Sequence, residues 1–193
     1  MADKTANPAP LGLAGFGLTT VVLSLVNAGW IPGSAESVVV PLAFAYGGVA
    51  QIIAGILEYS NGNTFGMVAF TSYGLFWWWF ALLNWTAKAG IIAAPTATGV
   101  GVALLMWGVF TLYMWVATFR SNRGVWSIFL LLWITFFLLA IGALGGGDAW
   151  KTAGGLVGLL TGIDALYVSF AEVTNAAFGR VVVGFLMKPV SRK

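Results

Sequence analysis

The sequence contains no cysteine and no histidine among its 193 residues. Without cysteine there is no disulfide and no thiol chemistry, and the compartment is left open on that count. Lacking both residues removes the usual ligand sets for zinc, haem and iron–sulfur clusters, so no metal site and no cofactor is expected. Charge is scarce too. Asp, Glu, Lys and Arg make up only 8% of the chain, where a soluble domain carries about 25%. No hydrophilic block is long enough for a separate soluble domain. The first apolar run has neither a basic leader nor a small-residue cleavage site, so no cleavable signal peptide is expected.

What is present is apolar: 60% of the residues are hydrophobic. Runs long enough to span a bilayer, about 20 residues each, recur six times, near Leu11–Ala28, Ser37–Tyr59, Thr64–Trp85, Thr96–Phe119, Gly124–Leu144 and Thr152–Val173. Proline and glycine mark the breaks at Pro32-Gly33, Gly62, Gly90 to Pro95 and Gly145-Gly146-Gly147. The expectation is an all-α membrane protein, a single domain over residues 1–193, with six transmembrane helices in a compact bundle. Connections are short, so sequential helices should pack as neighbours. An even number of spans puts both termini on one side, together with Lys4, Arg120, Arg123, Arg180, Lys188, Arg192 and Lys193. Lys88 and Lys151 fall on the other side. The formal charge of +3 therefore reads as topology rather than nucleic-acid binding: both termini are expected in the cytoplasm of a multi-pass plasma (inner) membrane protein. Trp30, Trp85 and Trp150 are placed as interfacial indoles at the outer helix ends. Trp77, Trp78 and Trp79 read as lipid-facing, inter-subunit or packing bulk.

Two glycine patterns ask for close helix packing. The sixth run carries Gly154, Gly158 and Gly162 at four-residue steps, and the second carries Ala43, Gly47 and Gly55 on a ridge interrupted by Gln51. These ridges join helices within one protomer or between protomers. The opening stretch NPAPLGLAGFG, Asn7 to Gly17, combines an N-cap (Asn7), prolines where a first turn tolerates them, and Gly12, Gly15 and Gly17. It reads as a helix start that meets a ligand, a neighbouring helix or both, with Asn7, Leu11 and Gly12 at the inner mouth of a path.

Polar groups within the spans are costly in hydrocarbon, so their placement is informative. Phe16, Thr20, Ser24 and Asn27 share one face of the first helix; Gly47, Gln51, Gly55 and Glu58 share one face of the second. Thr71, Ser72 and Tyr73 follow on the third, Thr111 and Thr118 on the fourth, and Thr161, Asp164, Ser169 and Glu172 on the sixth. Back-bonding to its own helix accounts for any one hydroxyl. A face repeated on five helices suggests a narrow, uncharged polar path. Asn7, Glu58, Asn63, Glu172, Asn175 and Arg180 fall at the same ends of their helices, as a polar vestibule in which Arg180 pairs Glu172 or Glu58, or as interfacial caps and ion pairs. Asp164 lies deeper, about 12 Å from Glu172 along the helix, and needs a proton or a partner. With no Lys or Arg within any span, a permeating anion must rely on neutral donors, helix N-termini or an accompanying proton. That suits a small solute able to shed its charge, such as a short carboxylic acid.

Two strings are decoys. Gly145-x-Gly147-Asp148 matches the GxGD of intramembrane aspartyl proteases but sits at a helix end without the partner motif. GGGDAWKT resembles a phosphate loop but has Trp150 where a glycine is needed and no strand before it. Nothing assembles a nucleophile with a base, so an enzyme is not expected.

Long motifs carry a family resemblance. NPAPLGLAGFG at Asn7–Gly17, AYGGVAQIIAGILEY at Ala45–Tyr59 and GNTFGMVAFTSYGLFW at Gly62–Trp77 resemble the acetate uptake transporter family, as do WGVFTLYM at Trp107–Met114, LLAIG at Leu138–Gly142 and EVTNAAFGR at Glu172–Arg180. The resemblance implies six transmembrane helices, a homo-hexamer, and passage of acetate with a proton or by a channel-like route. It implies an apolar constriction at Phe16 and Tyr73, by motif, and at Leu132, by counting back from LLAIG. The chain departs from the family pattern at Met67-Val68 and at Asp164. The function so implied is transport of acetate and related short monocarboxylates, with succinate a further candidate, the partners being the carboxylate, a proton and membrane lipid, without nucleic acid. A passive channel for urea, an amide or ammonia fits the same uncharged path.

Overall fold

Each apolar run folds as one helix. The computed structural model describes residues 5–191, and among them are six helices long and apolar enough to cross a membrane. They are α1 (Ala9–Asn27), α2 (Gly33–Ser60), α3 (Thr64–Lys88), α4 (Ala97–Arg120), α5 (Arg123–Gly146) and α6 (Asp148–Phe178). The sixth outruns its apolar stretch at both ends. Its first turn starts straight after Gly147 and its last continues to a left-handed Gly179 (φ 62°), the glycine stop that spares a helix end a strained side chain.

Short polar side chains start three of the helices. Asn63, Thr96 and Asn122 accept from the backbone N–H groups of Gly66, Gly99 and Val125 at 3.0, 3.1 and 2.8 Å. The start of α1 differs slightly from expectation. Pro8 occupies the cap position, and Asn7 accepts instead from the Ala9 N–H at 3.1 Å. Helix α2 is not a regular α-helix. Pro41 removes a backbone donor inside it, and directly afterwards Ala43–Ala50 widens into a π-helical stretch before the α-helical Gln51–Ser60.

The helices pack in sequence order around a ring, α6 closing onto α1, with one weak joint. Helices α3 and α4, linked by the chain's longest connection, approach each other least of all sequential neighbours. The expectation that every sequential pair packs closely fails there. Bulk explains it: Tyr73 and Phe76 of α3 meet Trp107 and Phe110 of α4, ring on ring, and rings of this size hold two backbones apart.

The tightest joint lies opposite, between α1 and α6. A Cβ at Gly17 would lie 2.8 Å from the Gly162 carbonyl oxygen, and one at Gly162 would lie 2.9 Å from the Gly17 oxygen. Gly154 packs on Leu139 of α5, and Gly158 on Ser24 and Thr135. On α2, Gly47 meets Trp77 and Gly55 meets Thr71. Both glycine ridges thus join helices within the protomer. Trp77 is core, 2% exposed, whereas Trp30, Trp85 and Trp150 are exposed at one end of the bundle.

Beyond α6 the chain forms a strap across the other end. Asn175 accepts from the N–H groups of Val182 and Val183 and donates to the Val183 carbonyl. Tyr167 donates to the Phe185 carbonyl. Further along, the carbonyls of Leu186 and Lys188 accept from Gly124 and Arg123 at 2.9 and 3.0 Å, closing the N-terminus of α5.

Candidate functional site

Within the ring lies a cavity of about 210 Å³. Its rim is polar: Asn7 and Asn63 are exposed, and Ser121, Asn122 and Glu172 line the wall just inside. Its inner end is formed by buried Phe16, Gln51, Tyr73 and Leu132. Leu132 is ten residues into α5 from Asn122, so the cavity reaches roughly 15 Å along the helices. Thr20, Phe76 and Phe136, one turn further on, do not line it. The cavity is therefore a blind vestibule ending on two rings and a leucine.

The inner end is held rigidly. Phe16 and Tyr73 lie 5.8 Å apart between ring centroids, and Tyr73 is also flanked by Trp107, Phe110 and Phe129. Leu132 is 3% exposed. At the rim, Asn7 donates to Glu172 at 3.0 Å and Asn63 donates to Glu58 at 3.0 Å. These amides, not Arg180, are the partners of the two carboxyls. Glu58 is 2% exposed with its Oε1 unpartnered, and the Oε1 of Gln51 on the same wall is also unpartnered. The lining contains two carboxyl side chains and no Lys or Arg.

Helix N-termini contribute less than expected. The first N–H groups of α5 go to Leu186, Lys188 and Asn122. Those of α1 go to Asn7 and to the Pro8 carbonyl. An incoming carboxylate finds both ends already satisfied.

Of the residues singled out in the sequence, Phe16, Tyr73, Leu132, Asn7, Gln51, Glu58, Asn63 and Glu172 converge on the cavity. The others do not. Leu11 points to the outside, 38% exposed. Gly12 lies behind the wall, where a Cβ would collide with the ring of cavity-lining Phe70. Thr20 is buried one turn past Phe16 with its hydroxyl unpartnered. Thr71 is wedged against Gly55 between α2 and α3. Thr111 is hydrogen-bonded to the Tyr73 hydroxyl from behind the ring. Asp164 accepts from Ser127 in the α5–α6 seam, and Asn175 holds the strap. Their positions outside this cavity have a common origin: spacing along one helix gives a face but not which neighbour that face meets.

The cavity also uses residues the polar-face reading passed over. Asn122, Phe129, Phe65 and Phe70 line it. Asn122 carries a legible signal as a helix cap at the same end of the bundle as Asn63, and Phe129 sits three residues before Leu132, on its face. Nothing in the local sequence marks Phe65 or Phe70.

Comparison with known proteins agrees with this architecture. The chain is 46% identical over 180 residues to the succinate-acetate/proton symporter SatP of Escherichia coli, covering 93% of this chain and 95% of that one. It is 38% identical over 209 residues to acetate permease A of Emericella nidulans, covering 99% of this chain and 70% of that one. A solved structure described as the bacterial acetate channel SatP superposes with a TM-score of 0.90 at 46% identity, covering 93% of this chain and 98% of the other. The profile of the GPR1/FUN34/yaaH family matches residues 1–186, the whole of the six-helix ring, and the chain belongs to that family.

Proposed function

We infer that this multi-pass membrane protein transports acetate and related short carboxylates, succinate among them, across the bilayer. The observation that carries the reading is the blind vestibule: a polar rim leading to an apolar neck of Phe16, Tyr73 and Leu132 inside one six-helix ring. The rings and the leucine offer no charge and no hydrogen bond, with Gln51 the polar side chain beside them, so the neck favours small solutes with a short apolar body and penalises bare ions.

The rim adds a condition. The lining offers an anion no countercharge: it carries the carboxyls of Glu58 and Glu172 and no Lys or Arg. The carboxylic acid therefore passes the neck with its proton, taken up at the rim or carried in from solution. Gln51, buried at the neck with an unpartnered oxygen, can accept a hydrogen bond from that acid O–H.

We place the vestibule on the cytoplasmic side, since Arg120, Arg123, Arg180 and Lys188 ring that end and Lys88 and Lys151 the other. We also propose that the protomers assemble as a homo-hexamer. This is what the family resemblance of the sequence motifs implies.

A second reading, passage of ammonia or a small amide, is favoured by the two rim carboxyls, which attract a donor-rich or cationic nitrogen compound. Labelled acetate uptake by reconstituted protein separates the two. Acetate transport predicts uptake that an imposed inward proton gradient accelerates and that unlabelled propionate competes. Uptake no faster than in empty vesicles overturns the acetate reading. In the same assay Phe16→Ala widens the neck, so butyrate uptake rises relative to acetate by about tenfold. An unchanged ratio removes Phe16 from the neck.

A further inference from the structure

Tyr73 and Thr111 meet across the weak α3–α4 joint, with their oxygens 2.9 Å apart. Among the described residues this is the only side-chain hydrogen bond between those two helices. The Thr111 hydroxyl also reaches the Trp107 carbonyl, 2.7 Å away and one turn back on α4. A carbonyl only accepts, so the threonine proton is committed to Trp107. The bond across the joint is therefore donated by the Tyr73 phenol and accepted by Thr111. Both residues are buried, at 3% and 0% exposure, so no water competes for either group.

The consequence concerns the path. The phenol is the one polar atom among the three neck side chains, and its single proton is drawn behind the ring toward α4. What remains facing the vestibule is the ring, braced by Phe16 and Phe129 on one side and by Trp107 and Phe110 on the other. We propose that Thr111 is a positioning residue for selectivity: by accepting the Tyr73 proton it fixes the ring's angle, keeps the neck free of hydroxyl groups and so sets which acids pass. This rests on reading Phe16, Tyr73 and Leu132 as the neck.

A Thr111→Val change keeps shape and burial but leaves the phenol without an acceptor. Tyr73 must then turn its hydroxyl toward the vestibule, where Gln51 and any solute can receive it. The informative readout is the ratio of acetate to butyrate uptake in proteoliposomes, which a general loss of folded protein does not move. Thr111→Val is expected to shift that ratio by about threefold or more when residue 73 is tyrosine. In a Tyr73→Phe background, where no phenol needs an acceptor, the same change should shift it by less than about 1.5-fold, the signature of direct coupling. Thr111→Ser, which restores the acceptor, should return the parental ratio. Equal shifts in both backgrounds, or no shift in either, overturn the proposal and leave Thr111 a packing residue. Phe16→Ala keeps the two failures apart. If it alters the ratio while Thr111→Val does not, the neck stands and only the role of Thr111 falls; if neither acts, the neck reading falls first.

Discussion

Glu58 shows how the vestibule's polar groups depend on single partners. Its carboxyl lies almost wholly out of solvent, with Oε2 accepting from Asn63 and Oε1 accepting from nothing. Asn63 meanwhile caps α3 with its other amide atom, accepting from the Gly66 N–H. One side chain thus serves a helix end and a buried carboxyl together. Asn63→Ala removes both, costing about 1 kcal/mol for the cap and about 1–3 kcal/mol for the stranded carboxyl. Thermal unfolding in detergent should show a clear fall in Tm. Asn63→Asp keeps the cap but sets a second carboxyl against Glu58, so it should fall between parent and Ala near neutral pH and approach the parent in acid. A neutral-pH Tm for Asn63→Ala equal to that of the parent would show that water satisfies Glu58.

At the scale of helices, the α1–α6 joint is built on two glycines whose carbonyls each occupy the other's side-chain space. Backbone cannot rotate away as a long side chain can. Gly162→Val should therefore cost about 1–3 kcal/mol through overpacking. Gly184→Val, in the strap, meets nothing closer than 3.6 Å and serves as the control. A Gly162→Val protein that melts with the control would mean the helices separate freely. The six helices were legible because hydrocarbon demands long apolar runs and the chain supplies six, with Asn, Thr, Gly and Pro punctuating them. The ridge at Gly154, Gly158 and Gly162 was equally plain. Whether Leu11, Thr71, Asp164 and Asn175 line the cavity was not recoverable from spacing. Each sits on a face that is exposed or that meets another helix or the strap, and periodicity does not name the neighbour. The π-helical turn after Pro41 changes the register on α2, and the strap has no periodicity at all, so neither left a pattern to read.

For the molecule as a whole, the proposed sidedness rests on the distribution of basic residues and is open to direct measurement, because the parent chain has no cysteine to interfere. Ser34 and Ser60 are both exposed, at opposite ends of α2. A membrane-impermeant maleimide added to intact cells should label Ser34→Cys at once and Ser60→Cys only after permeabilisation. The reverse pattern would place the vestibule outside. The uncharged neck has an electrical consequence. A bare acetate ion crossing the bilayer against 100 mV works against about 2.3 kcal/mol, roughly a fiftyfold bias in its flux. An acid that crosses with its proton moves no net charge and feels none of it. Uptake into vesicles clamped at 0 or 100 mV of either sign, at fixed pH on both faces, should therefore be the same within error. If the acid crosses in this form, a cell gains or loses it according to its carboxylate and pH gradients together, whatever its membrane voltage.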